Sequence, residues 1–157
     1  MANKRLLFFI KRQACPRDVA YIYYICGKKG MESIMKEIKT NNAPAAIGPY
    51  SQAIVTGGLV FASGQIPVNP KTGEIPEGVE AQANQVFTNM KNLLEAAGTN
   101  INKVVKTVVF IKNMDDFGTI NEIYAKYFTE PFPARSCVEV ARLPKDVLLE
   151  MEAIAEM

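Results

Sequence analysis

A chain of 157 residues, 48% hydrophobic and 22% charged, suits one domain with a single buried core and excludes a disordered or collagen-like polymer. Histidine is absent, which removes Ser-His and Cys-His nucleophiles and histidine-ligated metals, and no apolar run approaches the ~18 residues of a membrane span. The formal charge of +2 is unevenly divided: residues 1–34 carry seven basic and two acidic side chains, residues 35–157 carry 11 and 14, and that mildly acidic balance is unlike a nucleic-acid groove.

Cys15, Cys26 and Cys137 are odd in number and far apart, so neither a disulfide framework nor a zinc module is expected, and a reducing cytoplasmic setting is. Proton transfer then falls to carboxylates, tyrosines, cysteine, lysine, backbone or water.

The first 34 residues differ in style from the rest. Leu6 to Ile10 follows Lys4-Arg5 like a signal peptide, but five residues are short for an apolar signal core and Lys11-Arg12 ends it. An organellar leader fits the scarcity of acids but not the near absence of serine, and the basic residues around Tyr21 to Ile25 form no membrane-surface face. The segment is read as an extension outside the domain, from a start assigned too early or a disordered leader. A GAG codon for Glu32 would place a GGAG tract just ahead of Met35, where a ribosome site belongs. The domain is expected to occupy 35–157.

From Met35 the pattern is regular. Lys36 to Thr40 is a short strand candidate, followed by the turn-rich Asn41 to Pro44 and Gly48-Pro49-Tyr50. Ala53 to Thr56 and Leu59 to Ser63 are β-rich and separated by Gly57-Gly58, a tight hairpin signal. Asn69 to Gly73 reads as a surface turn. Val79, Ala83, Val86, Met90, Leu93 and Ala97 repeat at three or four, predicting a helix over 79–97 with Gly98 just past its end. Val104 to Ile111 is a continuous β-branched run, as in a strand buried on both faces. A second helix is expected from about Asp115 to Phe128, with Phe117, Ile120, Tyr124 and Tyr127 as its apolar stripe. Strands at about Ser136 to Ala141 and Leu148 to Ala155 finish the chain. The order β-β-β-α-β-α-β-β implies an α+β fold, one sheet with two helices on one face, and an open face that invites oligomerisation.

Strand alternation groups the polar residues. Arg135, Cys137 and Glu139 share one face of their strand, and Glu150 and Glu152 share one face of the last. Packing the apolar sets, Ser136-Val138-Val140 and Leu149-Met151-Ala153-Ala155, against the helices would turn Arg135, Cys137, Glu150 and Glu152 together toward the open side. An arginine fork fits a carboxylate, and a nearby glutamate can orient or deprotonate water. An Arg-Glu ion pair between subunits is the plainer alternative.

Four segments carry a resemblance: Ala43 to Gln52 (APAAIGPYSQ), Ser63 to Pro67 (SGQIP), Pro133 to Val140 with Arg142 to Lys145, and Glu150 to Ala155 (EMEAIA). In this order and spacing they resemble the RidA/YjgF family of enamine/imine deaminases, from about Met35 to the C-terminus. The resemblance implies a chorismate-mutase-like fold and a homotrimer with sites between subunits. It implies cofactor-free and metal-free hydrolysis of 2-enamine/2-imine acids, such as 2-aminoacrylate released by pyridoxal-phosphate-dependent dehydratases, to 2-keto acids and ammonia. Carried over, Arg135 binds the substrate carboxylate and Glu150 positions the attacking water, while Tyr50, Ser63, Gly64, Asn121 and Cys137 line the pocket. Cys137 would act largely through its backbone. Tyr50 and the substrate's own carboxylate are both candidate acids. Phe128 to Pro133 is shorter than in some relatives, which bears on the pocket rim.

Each residue also has a duller reading: Cys137 as a small buried hydrophobe, Gly64 as backbone geometry, Tyr50 as a core or interface aromatic, Glu152 in a structural hydrogen bond or salt bridge, Tyr124 and Tyr127 as core. Two other functions compete with deamination: a non-enzymatic trimer that senses small carboxylates, and a nuclease or translation inhibitor, names the family also carries. The acidic, histidine-free domain suits the nuclease poorly.

Overall fold

A computed structural model describes residues 35–157; the extension and its leader readings lie outside the described residues. Strands β1 (Lys36–Ile38), β2 (Ala53–Thr56) and β3 (Leu59–Gln65) lead into helix α1 (Val79–Ala97). Strand β4 (Val104–Ile111), helix α2 (Phe117–Tyr127), β5 (Ala134–Glu139) and β6 (Leu149–Glu156) follow, so the expected order of elements holds. The strands make one mixed sheet, ordered β1-β2-β3-β6-β4-β5. All its pairings are antiparallel except β4 with β5, the two strands that α2 connects.

Local chemistry explains the boundaries. Gly57 and Gly58 both adopt positive φ, 59° and 80°, the twist a two-residue hairpin needs to return β3 alongside β2. Gly98 ends α1 in the left-handed conformation, its N–H bonded to Glu95 and that of Thr99 to Leu94. The α1 stripe buries Val86, Phe87, Met90, Leu93 and Leu94 completely against the sheet. Each such side chain contributes roughly 1.5–3 kcal/mol.

In α2 the stripe differs from expectation. Ile120, Ile123 and Tyr124 are buried and Tyr127 partly so, but Phe117 is 37% exposed. Phe117 sits in the first turn of α2 and finds the Arg135 guanidinium instead of the core. Tyr124 and Tyr127 are core residues as expected, both ringed around Phe87.

The helices cover one face of the sheet. The other face carries Phe61, Val108, Phe110, Val138 and Ile154, half-buried or exposed. Strand β4 is thus buried on its helix side and only half-buried on the other, not on both faces as its run suggested.

Candidate active site

Strand β6 lies at the centre of the sheet, between β3 and β4. Leu149, Met151, Ala153 and Ala155 fill its helix side, so Glu150 and Glu152 project from the open side beside Phe110 and Val108. Next to them the β3–β6 ladder slips by one residue between Ala62 and Gln65. The extra residue makes a bulge at Ser63-Gly64, a device that re-aims side chains near functional sites.

The bulge creates a seat for Glu150. A Cβ built on Gly64 would stand 1.8 Å from Glu150 Oε1 and 2.8 Å from its Cδ, so only glycine leaves the carboxyl its place. Gly64 serves close approach here. Gln65 Nε2 donates to the carbonyls of Ser63 (3.1 Å) and Gly64 (3.4 Å), pinning the bulge. Ser63 Oγ donates to the Ser51 carbonyl at 2.7 Å. Burial, and secondarily the Glu152 charge, push the Glu150 carboxyl above the usual carboxylate range. The Glu152 side chain makes neither an ion pair nor a hydrogen bond among the described residues, so the structural hydrogen bond or salt bridge expected of it is not formed there.

Tyr50 and Gly64 share the wall of a cavity of about 200 Å³. Tyr50 is 49% exposed, and its hydroxyl accepts a bond from the Ile47 N–H at 3.4 Å. The far wall is the Ile66–Val68 segment, held by Asn89, whose buried amide donates to both the Ile66 and Val68 carbonyls.

Arg135 stands elsewhere. In the parallel β4–β5 register Arg135, Cys137 and Glu139 pair with Thr107, Val109 and Ile111, all buried under the helices. Partners in register share a face, so these three side chains are on the helix side and Ser136 and Val138 on the open side. This reverses the expectation that Arg135 and Cys137 join Glu150 and Glu152 on one face. Counting apolar residues misjudged an edge strand, in which the alkyl stem and planar head of arginine can take a half-covered helix-side position.

The arginine is held by rings. Its guanidinium carbon lies 4.6 Å from the centre of the Tyr124 ring and 5.5 Å from that of Phe117. Tyr124 shares a bond of 3.0 Å with Thr107, which fixes the ring, and burial pushes its phenol up, keeping it neutral. Asn121 is exposed on the same side of α2, between Phe117 and Tyr124 at helical spacing. Glu139 is occupied by the Met114 N–H, at 2.7 Å, ahead of α2. No carboxylate pairs with Arg135 among the described residues. Cys137 is half-buried against the core, and burial raises its thiol despite the opposing pull of Arg135, which leaves it no activated nucleophile.

The predicted residues therefore fall into two groups. Tyr50, Ser63, Gly64 and Glu150 gather around the bulge; Arg135, Cys137 and Asn121 gather beneath the edge strand. Sequence reading missed Phe117 and Tyr124 as the arginine's platform, although Phe117, Asn121 and Tyr124 repeat at four and three.

A family model described as Endoribonuclease L-PSP matches residues 40–157. The chain belongs to that family. Among its relatives, the 2-iminobutanoate/2-iminopropanoate deaminase of Escherichia coli K12 is 59% identical over 123 residues, covering 76% of this chain and 96% of that protein. The crystal structure of the E. coli YjgF gene product is 56% identical with a TM-score of 0.73, covering 77% of this chain and 98% of that one. The structure of E. coli TdcF with bound serine is 51% identical with a TM-score of 0.75, covering 78% and 98%. The RidA/YjgF resemblance and its chorismate-mutase-like α+β fold are thereby borne out.

Proposed function

We propose that this L-PSP family protein is a cytoplasmic 2-iminobutanoate/2-iminopropanoate deaminase, the activity named for its E. coli relative. The observation that carries the reading is an arginine fork with no acidic partner among the described residues, on an edge strand where a substrate carboxylate can reach it. The bound serine of TdcF, a small amino acid, agrees with a carboxylate ligand of this size.

Arg135 and Glu150 project from opposite faces of one sheet, so a working site takes its arginine from one copy and its glutamate from another. The half-exposed Phe61 and Val138 and the depression of about 480 Å³ beside Phe61, Ile154 and Glu152 support such packing. A closed homotrimer provides three equivalent sites of this kind. Residues 35–157 form the domain that assembles.

In each site the Arg135 fork takes the α-carboxylate and fixes C2 of the imine near Glu150. Glu150 accepts a proton from water while the oxygen bonds to C2 and the C=N electron pair moves to nitrogen. Glu150 returns that proton to the nitrogen to complete the carbinolamine, which then collapses: Glu150 takes the hydroxyl proton and passes it to the nitrogen, the C–N bond breaks as C=O forms, and ammonia leaves. A carboxyl with a raised pKa is suited to this two-way transfer. Imines are electrophilic, so orientation and one positioned water meet most of the barrier. Such a reaction clears reactive products of pyridoxal-phosphate-dependent dehydratases.

The test couples the protein to a serine or threonine dehydratase and follows 2-keto acid formation by semicarbazone trapping. Faster keto acid release than in buffer is expected. Release at the buffer rate would reject the reading in favour of a carboxylate-binding module, and full activity in Arg135→Ala would reject the arginine fork as its basis.

A further inference from the structure

The cavity beside Gly64 is charged on one side only. Its walls include Pro44, Ile47, Ile66 and Val68, and the single charged side chain among its described lining residues is Lys145. No described carboxylate lies within ion-pair distance of that ammonium. The adjacent acid, Asp146, is taken by Arg142 through bonds of 2.9 and 3.1 Å. Lys145 and Asp146 both hold left-handed backbone, φ 57° and 56°, a strained state for residues other than glycine and one that clusters at ligand sites. The loop keeps this strain while it presents an unpaired lysine to a cavity whose wall is the Glu150 seat.

We propose that this cavity receives the substrate's side chain, and that Lys145 selects imines whose side chain ends in a carboxylate. The proposal rests on the deaminase reading and adds the substrate class. The α-carboxylate goes to Arg135 and the distal one to Lys145, with C2 between them beside Glu150. A volume of about 200 Å³ accommodates a side chain of a few heavy atoms.

The test uses the full chain and two imines generated in place by amino-acid oxidases: 2-iminoglutarate, with a terminal carboxylate, and 2-iminopropanoate, without one. The wild type is expected to hydrolyse both. Lys145→Met is expected to lower the ratio of kcat/KM for 2-iminoglutarate over 2-iminopropanoate about tenfold, chiefly through KM, and Lys145→Arg to preserve it. Wild-type turnover of 2-iminopropanoate alone, or an unchanged ratio in Lys145→Met, overturns the subsite and leaves the deaminase reading standing. Turnover of neither imine overturns both.

Discussion

Arg135 and Glu150 are both half-buried ionisable groups, on strands separated only by β4, yet the protein holds them by opposite means. The arginine lies on aromatic faces at the edge of the helix layer, where rings stabilise a cation without consuming its hydrogen-bond donors. The glutamate lies against a glycine at the centre of the open face, where burial and a second carboxylate disfavour its charge. Among the described residues each group is left electrostatically incomplete: the first lacks an anion, the second a cation. In one chain they cannot complete each other because the sheet stands between them. In the proposed function the single subunit supplies two half-sites, which assembly and substrate join.

Separating the halves genetically has the largest expected effect. Arg135→Ala and Glu150→Gln should each lower kcat/KM by about 10²–10⁴, the range for a lost transition-state group. The two inactive proteins, unfolded and refolded together in equal amounts, should recover about a quarter of wild-type activity, since random assembly restores both groups in that share of the sites. Recovery no greater than the parents' activity would place both groups of a site in one copy and break the comparison.

The legible part of this arrangement was the part set by period. The hairpin at Gly57-Gly58, the α1 stripe and the alternation of Leu149 to Ala155 each follow from local spacing, and their positions held. What alternation could not tell was which face of β5 meets the helices. Ser136 and Val138 are no more polar than a core strand tolerates, and Arg135 gains its place only because α2 sends two rings beneath it. The Gly64 seat was invisible for a related reason. It depends on a bulge that shifts one register, a long-range event that Ser-Gly-Gln does not announce.

The glutamate half can be loosened alone. Gly64→Ala should displace the Glu150 carboxyl and lower kcat about 10- to 100-fold with KM little changed, because a misplacement near 1 Å is enough to lose a positioned water. The carboxyl is the end of a flexible side chain, so circular dichroism and thermal unfolding should be near wild type. Unaltered kcat would mean that Glu150 works from another position.

A smaller change sharpens the electrostatic side of the comparison. Glu150 must be ionised to accept the water's proton, and its raised pKa delays ionisation to higher pH, so the acid limb of kcat/KM should lie above the ordinary carboxylate range. Glu152→Gln removes the like charge, favours ionisation and should move that limb to lower pH. A limb that stays in place would leave burial as its sole cause.

The least effect is expected in the arginine half, at Cys137. Its side chain is half-buried beside Arg135, which invites a nucleophilic role, but the two influences on the thiol are unequal: burial raises it more than the guanidinium lowers it. Little thiolate exists near neutral pH, and with no base beside it among the described residues the sulfur contributes packing. Cys137→Ser keeps the backbone and should cost no more than about threefold in kcat/KM, while iodoacetamide, followed at the Cys137 peptide by mass spectrometry, should modify that thiol more slowly than a free cysteine. A loss as large as that of Arg135→Ala would make the arginine half reactive as well as binding, and would erase the division of labour between the two faces.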